Sequence, residues 1–448
     1  MRRMEDYRRI ADSIAADIAA GRLRPGDRLP PQRSFARRHG IADSTAARVY
    51  RELAGRGLTV GEVGRGTFVR AAAPQPGPAL VEPTGSRIDL ELNYPVVPEQ
   101  ARLLADGIGP LLRADVLESS MKPVGAAGTP AARRVTAGLL GRGEWRPDPE
   151  RVLFAGNGRQ AIAAALAALL PSGGRLGVEE LTYPVLKGLA SRVGVTLVPL
   201  RVDEAGLDPA AVAAAARKAP LKAIYVQPTM HNPLSVSMPV ERRAELAGLL
   251  ERLDVPAIED SIWSFLRDDL PPLAAFAPGR TILVDSLSKR LAPGLSLGFA
   301  VVPGQAVAGV AAAVRSGGWT PMRFALEAAT RWLTDDTARS VARAKQRDAA
   351  MRQEIAARCL AGFGVRSDPR SYYCWWELPS PWRAETFVAA AARYGIAVTP
   401  AAAFAVGRGS APNAVRLGLA SPPPDVLARA LTTLADLARV APEDLAAE

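Results

Sequence analysis

At 448 residues, 48% of them hydrophobic, the chain is too long for one ordinary domain and apolar enough to bury at least two cores. Two cysteines, Cys359 and Cys374, and two histidines, His39 and His231, exclude a disulfide framework and argue against a metal centre. No run of about 18 apolar residues occurs, so no membrane span is expected, and Met1-Arg2-Arg3-Met4-Glu5-Asp6 has no apolar leader, so the expected location is cytoplasmic.

The net charge of +11 is unevenly spread: residues 1–70 hold 15 arginines against 8 acidic residues, so +7 of it sits there. That asymmetry points to an anionic partner for this head. Tyr7, Ile10, Ala11, Ile14, Ala15 and Ile18 recur at helical spacing, with Gly21 as a stop. After the turn at Arg24-Pro25-Gly26-Asp27, Pro30-Pro31 opens and Gly40 closes a second helix. A third follows with Asp43 or Ser44 as its cap and Ala47, Val49, Tyr50 and Leu53 as apolar positions. Residues 57–69 then alternate like a β-hairpin with a glycine-rich tip. The order is that of a winged helix-turn-helix. In that fold the second helix of the pair lies in the major groove of double-stranded DNA, and the wing reaches the flanking backbone. Ser44, Thr45 and Arg48 are thereby assigned to the recognition helix, Arg33 to the helix before it, and Arg65 with Gly66 to the wing.

Residues 71–87, rich in alanine, proline and glycine, interrupt every periodic pattern and read as a linker. Beyond it, short apolar strands alternate with helical segments at residues 152–154, 176–178, 197–199, 223–226, 257–259, 281–284 and 297–302. The rhythm predicts an α/β body over residues 88–448, with a mostly parallel sheet covered on both faces. From about residue 320 helices dominate until residues 372–378 and 414–419, which predicts a small C-terminal α+β subdomain.

Only six of the 56 basic residues are lysines, and Lys289 follows a strand in Val284-Asp285-Ser286-Leu287-Ser288-Lys289-Arg290. A lysine at the carboxyl edge of a parallel sheet, flanked by Ser286 and Ser288, suits a Schiff base with a phosphate nearby. Pyridoxal phosphate is an electron sink only while its ring nitrogen stays protonated, which needs a buried carboxylate. Asp260, ending the apolar strand Val255–Glu259, is placed for that. Gly156-Asn157-Gly158-Arg159 supplies a glycine-turned helix start for the phosphate. Tyr183 offers a stacking face, Asn232 a hydrogen bond to the ring oxygen, and Arg416 a fork for a substrate carboxylate.

The head resembles the GntR family of bacterial regulators, through Gly26-Asp27-Arg28-Leu29-Pro30, Gln32-Arg33, Ser44-Thr45, Arg48-Val49-Tyr50-Arg51-Glu52-Leu53 and the wing Gly64-Arg65-Gly66-Thr67-Phe68-Val69. Asp43 departs from that pattern, so its base preference is not carried over. Residues 88–440 resemble the fold type I aminotransferases. The resemblance makes Lys289 the Schiff-base lysine, Asp260 the pyridinium partner, Asn232 the ring-oxygen partner, Tyr183 the stacking residue and Arg416 the carboxylate clamp. Together the halves resemble the MocR/GabR regulators. What this implies is a homodimer, on the nucleoid when bound to DNA, whose body senses a small amine, an amino acid or the cofactor itself. The alternative is a working aminotransferase with an accessory head. Three departures favour the sensor. Ser296 stands where such enzymes carry a phosphate-binding arginine, leaving Arg290 or Arg159 to substitute, and Trp263 replaces a tyrosine that touches the ring oxygen. No tyrosine stands near residues 118–125, where the neighbouring subunit of such enzymes offers one.

Overall fold

A computed structural model describes residues 2–19, 22–24, 26–55, 58–62, 66–69, 88–407 and 411–440. Arg65 and the linker 71–87 lie outside them. The head has helices Arg2–Ala19, Gln32–His39 and Asp43–Gly55. Its core includes Ala11, Ile14, Phe35, Ala46, Val49, Tyr50 and Leu53; Ala11, Ile14, Val49, Tyr50 and Leu53 stand in the expected apolar stripes, whereas Ala46 and not Ala47 is the buried alanine of the third helix. Gly40 ends the second helix in the left-handed region (φ 62°, ψ 33°), where glycine carries no Cβ penalty. The Tyr50 ring meets Phe35 edge-on at 5.2 Å and its hydroxyl donates to the Pro30 carbonyl.

One expectation for the head is corrected and another is extended. The Ala46 amide donates to the Ala42 carbonyl, so Asp43 already lies within the third helix, Ala42 takes its first bond, and neither Asp43 nor Ser44 stands ahead of the helix as a cap. The hairpin strands Thr59–Glu62 and Gly66–Val69 are joined by a third, Arg28–Leu29, which pairs with Gly66–Val69. Two residues are too few to show a period.

In the body a seven-stranded sheet runs in the order 152–155, 298–301, 281–286, 257–260, 223–226, 175–179, 196–200. All strands are parallel except Gly298–Val301, which is antiparallel to both neighbours. The strands 152–155, 223–226, 257–260, 281–286 and 298–301 are buried throughout, which is why they read as continuous apolar runs and not as alternations. A second sheet, in the order Gly364–Arg366, Tyr373–Glu377, Ala414–Gly418, Thr399–Pro400, is antiparallel. It shares one core with the helices Thr337–Cys359, Ala384–Arg393 and Pro424–Arg439. Residues far upstream join this end of the body: Ile88–Asp89 pairs in parallel with Ile396–Ala397. Among the described residues no helix is long and apolar enough to cross a membrane.

Candidate functional site

Where strands of a parallel sheet end, side chains and backbone amides converge on a crevice. Here the strands ending at Ala155, Val226, Asp260 and Ser286 open onto a cavity of about 300 Å³. Lys289 lies on the short helix Leu287–Arg290 that continues one of them. Its amine donates to the Asn93 carbonyl at 2.6 Å and stands 4.7 Å from the Tyr94 ring and 5.4 Å from the Trp263 ring. Burial, reinforced by the cations Arg159, Arg416 and Lys345, pushes that amine down to about 7.

Asp260 is pushed the other way. Burial raises its carboxyl to about 6, although the Tyr225 hydroxyl donates to one of its oxygens and the Ile262 amide to the other. Tyr183 lines the cavity with its hydroxyl 3.2 Å from Arg159 Nε. Asn232 also lines it, just before a cis peptide bond to Pro233.

At the other end Asn157 caps the helix Gly158–Leu169 through its side chain, which accepts from the Gln160 amide at 3.0 Å. Asn157, Gly158 and Arg159 line the cavity there with Ser286 and Ser288, and the first turn of a helix has backbone amides to offer an anion. The two serine hydroxyls are 2.7 Å apart. A Cβ on Gly158 would sit 3.1 Å from Ser286 Oγ, and one on Gly298 only 2.2 Å from the Asn157 carbonyl, so both glycines keep the cradle closed and tight. Ser296 faces the same space with a buried hydroxyl that has no partner.

Arg416 comes from the second sheet, is buried and reaches the cavity. Its Nη2 donates to the Glu91 carbonyl and to Thr399 Oγ1, and burial lowers its guanidinium to about 10.

Arg290, one of the two candidates to replace the arginine absent at 296, does not line the cavity. Its guanidinium is buried in a 2.7 Å ion pair with Asp285 and lies over Phe265. Arg159 does line it. Among the neighbours that went unread in the sequence are Asn93, Tyr94, Gln227 and Tyr225. Gln227 is the first residue past the buried strand Ala223–Val226, one step beyond the place Asp260 holds on its own strand, and a strand-end rule widened by one residue would have found it. Asn93 and Tyr94 carry no such signal, because residues 91–95 lie outside any periodic element.

On the head, Arg33, Ser44 and Arg48 are exposed and Thr45 is half-buried. Ser44 and Arg48 are four apart on the helix Asp43–Gly55 and so share a face. Gly66 has φ 124°, a conformation that favours glycine; a Cβ there would also be 2.8 Å from Arg28 Nε, the end of an exposed and flexible side chain.

The fold and site define a class: a winged helix-turn-helix head joined to a fold type I aminotransferase-like body. Residues 6–69 match "Bacterial regulatory proteins, gntR family", and residues 119–434 match "Aminotransferase class I and II". The chain therefore belongs to the regulators that join a gntR-type DNA-binding domain to a class I and II aminotransferase domain, the MocR type. It is 30% identical over 420 residues, 93% of this chain and 90% of the relative, to the uncharacterized HTH-type transcriptional regulator YdeF of Bacillus subtilis (strain 168). It is 28% identical over 345 residues, 70% of this chain and 69% of the relative, to the probable rhizopine catabolism regulatory protein MocR of Rhizobium meliloti. Among solved structures, an archaeal alanine:glyoxylate aminotransferase is similar in fold, with a TM-score of 0.72 at 22% identity, covering 81% of this chain and 92% of that one.

That fold family implies pyridoxal phosphate. The cavity fits it. Asn232 Oδ1, Gln227 Nε2, Ser296 Oγ and Arg416 Nε line it as buried polar atoms without partners, which a polar ligand would satisfy.

Proposed function

We propose that the protein is a transcriptional regulator that binds an operator through its head and carries pyridoxal phosphate on Lys289 as the sensor for a small amine or amino acid, or for the cofactor itself. The single observation that supports this best is one cavity lined at once by a buried amine, by the glycine-turned start of a helix and by a buried guanidinium. When bound, pyridoxal phosphate supplies an electron sink at the carbon joined to an amine. Lys289, half-neutral near pH 7, would hold that carbon. The Asp260 carboxylate would keep a proton on the ring nitrogen, Asn232 would bond the ring oxygen, and Tyr183 with Trp263 would flank the ring. Asn157, Gly158, Arg159, Ser286 and Ser288 would hold the phosphate, and Arg416 an effector carboxylate.

Effector binding would shift a homodimer between states of different DNA affinity. Gel-shift with the gene's own upstream region tests the reading. Binding at low salt supports it, and no binding to any promoter DNA refutes it. A yellow wild type and a colourless Lys289→Ala protein are expected; a wild type that stays colourless in excess cofactor would sink the sensor. The second reading, a working aminotransferase, draws on the presence of Lys289, Asp260 and Arg416 in one cavity. Steady conversion of an amino donor and a keto acid would favour it. Ser296 and Trp263 weigh against turnover, because the groups that fix the phosphate and tune the ring are replaced.

A further inference from the structure

Two of the cations that line the cavity, Lys289 and Arg416, are held by main-chain carbonyls of the same short stretch. Lys289 donates to Asn93 and Arg416 to Glu91. This stretch directly follows the linker that leads from the head. It is otherwise tied to the second sheet and its edge. The Ile88 and Leu90 amides donate to the Gly395 and Ala397 carbonyls, each at 2.9 Å, and the Gly418 amide to the Leu90 carbonyl at 2.7 Å. Ser421 Oγ donates to the Leu92 carbonyl at 2.7 Å and accepts from the Tyr94 amide at 3.3 Å. A Cβ on Gly418 would lie 3.0 Å from the Leu90 and Leu92 carbonyls, so the packing leaves no slack.

From this geometry we infer that residues 90–94 report occupancy of the cavity to the head. The inference rests on the cofactor reading above and adds the route. Hydrogen bonds from charged donors are about twice as strong as neutral ones, so these two carbonyl contacts help to set the position of the stretch. Each also uses a nitrogen that a ligand needs. Condensation of the neutral Lys289 amine with the cofactor aldehyde forms a C=N bond, and the aldehyde oxygen leaves as water with the two amine hydrogens. The nitrogen then lacks the hydrogens that Asn93 accepts. A carboxylate on Arg416 likewise competes with the Glu91 carbonyl. An amino acid carries both groups and acts on both contacts, and the freed stretch is the part of the body that follows the linker in sequence.

The test is hydrogen–deuterium exchange on the full chain with and without pyridoxal phosphate, with absorbance read on the same samples. In the coloured protein, exchange at residues 90–94 should rise roughly tenfold, the factor that corresponds to losing one charge-assisted hydrogen bond. Lys289→Ala should exchange fast already and ignore the cofactor. Ser421→Ala, outside the cavity, should keep the wild-type colour, exchange fast at 90–94 and lose the effect of cofactor on affinity for the promoter duplex. A yellow wild type with unchanged exchange at 90–94 would overturn the relay alone. So would a Ser421→Ala protein whose duplex affinity answers cofactor as wild type does. A colourless wild type would overturn the cofactor reading and the relay with it.

Discussion

Replacing Gly298 with alanine tests whether the phosphate cradle is held by a backbone contact across the sheet. Gly298 lies on the one antiparallel strand, paired with Ser286 on one side and Ala155 on the other. A Cβ there would stand 2.2 Å from both the carbon and the oxygen of the Asn157 carbonyl and 2.9 Å from its Cα. Ordinary contact needs more than 3 Å, so the turn Asn157–Gly158 has to retreat by about 1 Å, and a backbone atom cannot rotate aside as a flexible side chain would. Overpacking of this kind costs about 1 to 3 kcal/mol. For a body of this size that lowers the melting temperature by roughly 1 to 4 °C. The retreat also misaligns the cradle amides, so cofactor affinity, read by absorbance titration, falls about tenfold or more. Gly294→Ala, where nothing lies within 4 Å of the added carbon, serves as the control and should leave both readings unchanged. A Gly298→Ala protein with wild-type melting and wild-type affinity would show that the cradle is not set by this contact.

The neutral amine is the form of Lys289 that attacks an aldehyde, and its ammonium is held down at about 7. The rate of colour development should therefore rise about tenfold per pH unit below 7 and level off above it; a rate still climbing so steeply at pH 9 would contradict the buried, cation-ringed environment. Asp260 is raised from 3.8 to about 6, so ionising it is harder in the folded apoprotein than in the unfolded chain. Its cost is absent below pH 3.8, grows as pH rises through 6 and is constant beyond. Asp260→Asn should accordingly gain stability over wild type across that window, by about 3 kcal/mol at most, in denaturant titrations of the apoprotein. On the head, Arg48→Ala should weaken binding to the cognate operator by about 1 to 3 kcal/mol and to random DNA by much less. Equal losses on both, measured by anisotropy, would move Arg48 from the groove to the phosphates.

The pattern of the chain carried most of the architecture and about half of the site. Buried parallel strands have to be apolar on both faces, so they stood out as runs, and Asp260 and Ser286 showed themselves as polar residues at the ends of those runs. Lys289 was conspicuous because so few of the cations are lysines. Arg290 was misjudged for a local reason. It follows Lys289 directly, but on a helical turn adjacent residues point about 100° apart, and this one turns inward to Asp285.

What the sequence determined by itself was the order of elements, the two-part division of charge and the residues able to do the chemistry, because these follow from local periodicity and side-chain type. Only the tertiary structure decided which of them meet. Arg28 comes to lie against Gly66, Gly298 against Asn157, and residues 91–93 against Arg416 and Lys289. These contacts join segments up to hundreds of residues apart, largely through backbone atoms that are the same in every residue, and no pattern of side chains along the chain records them.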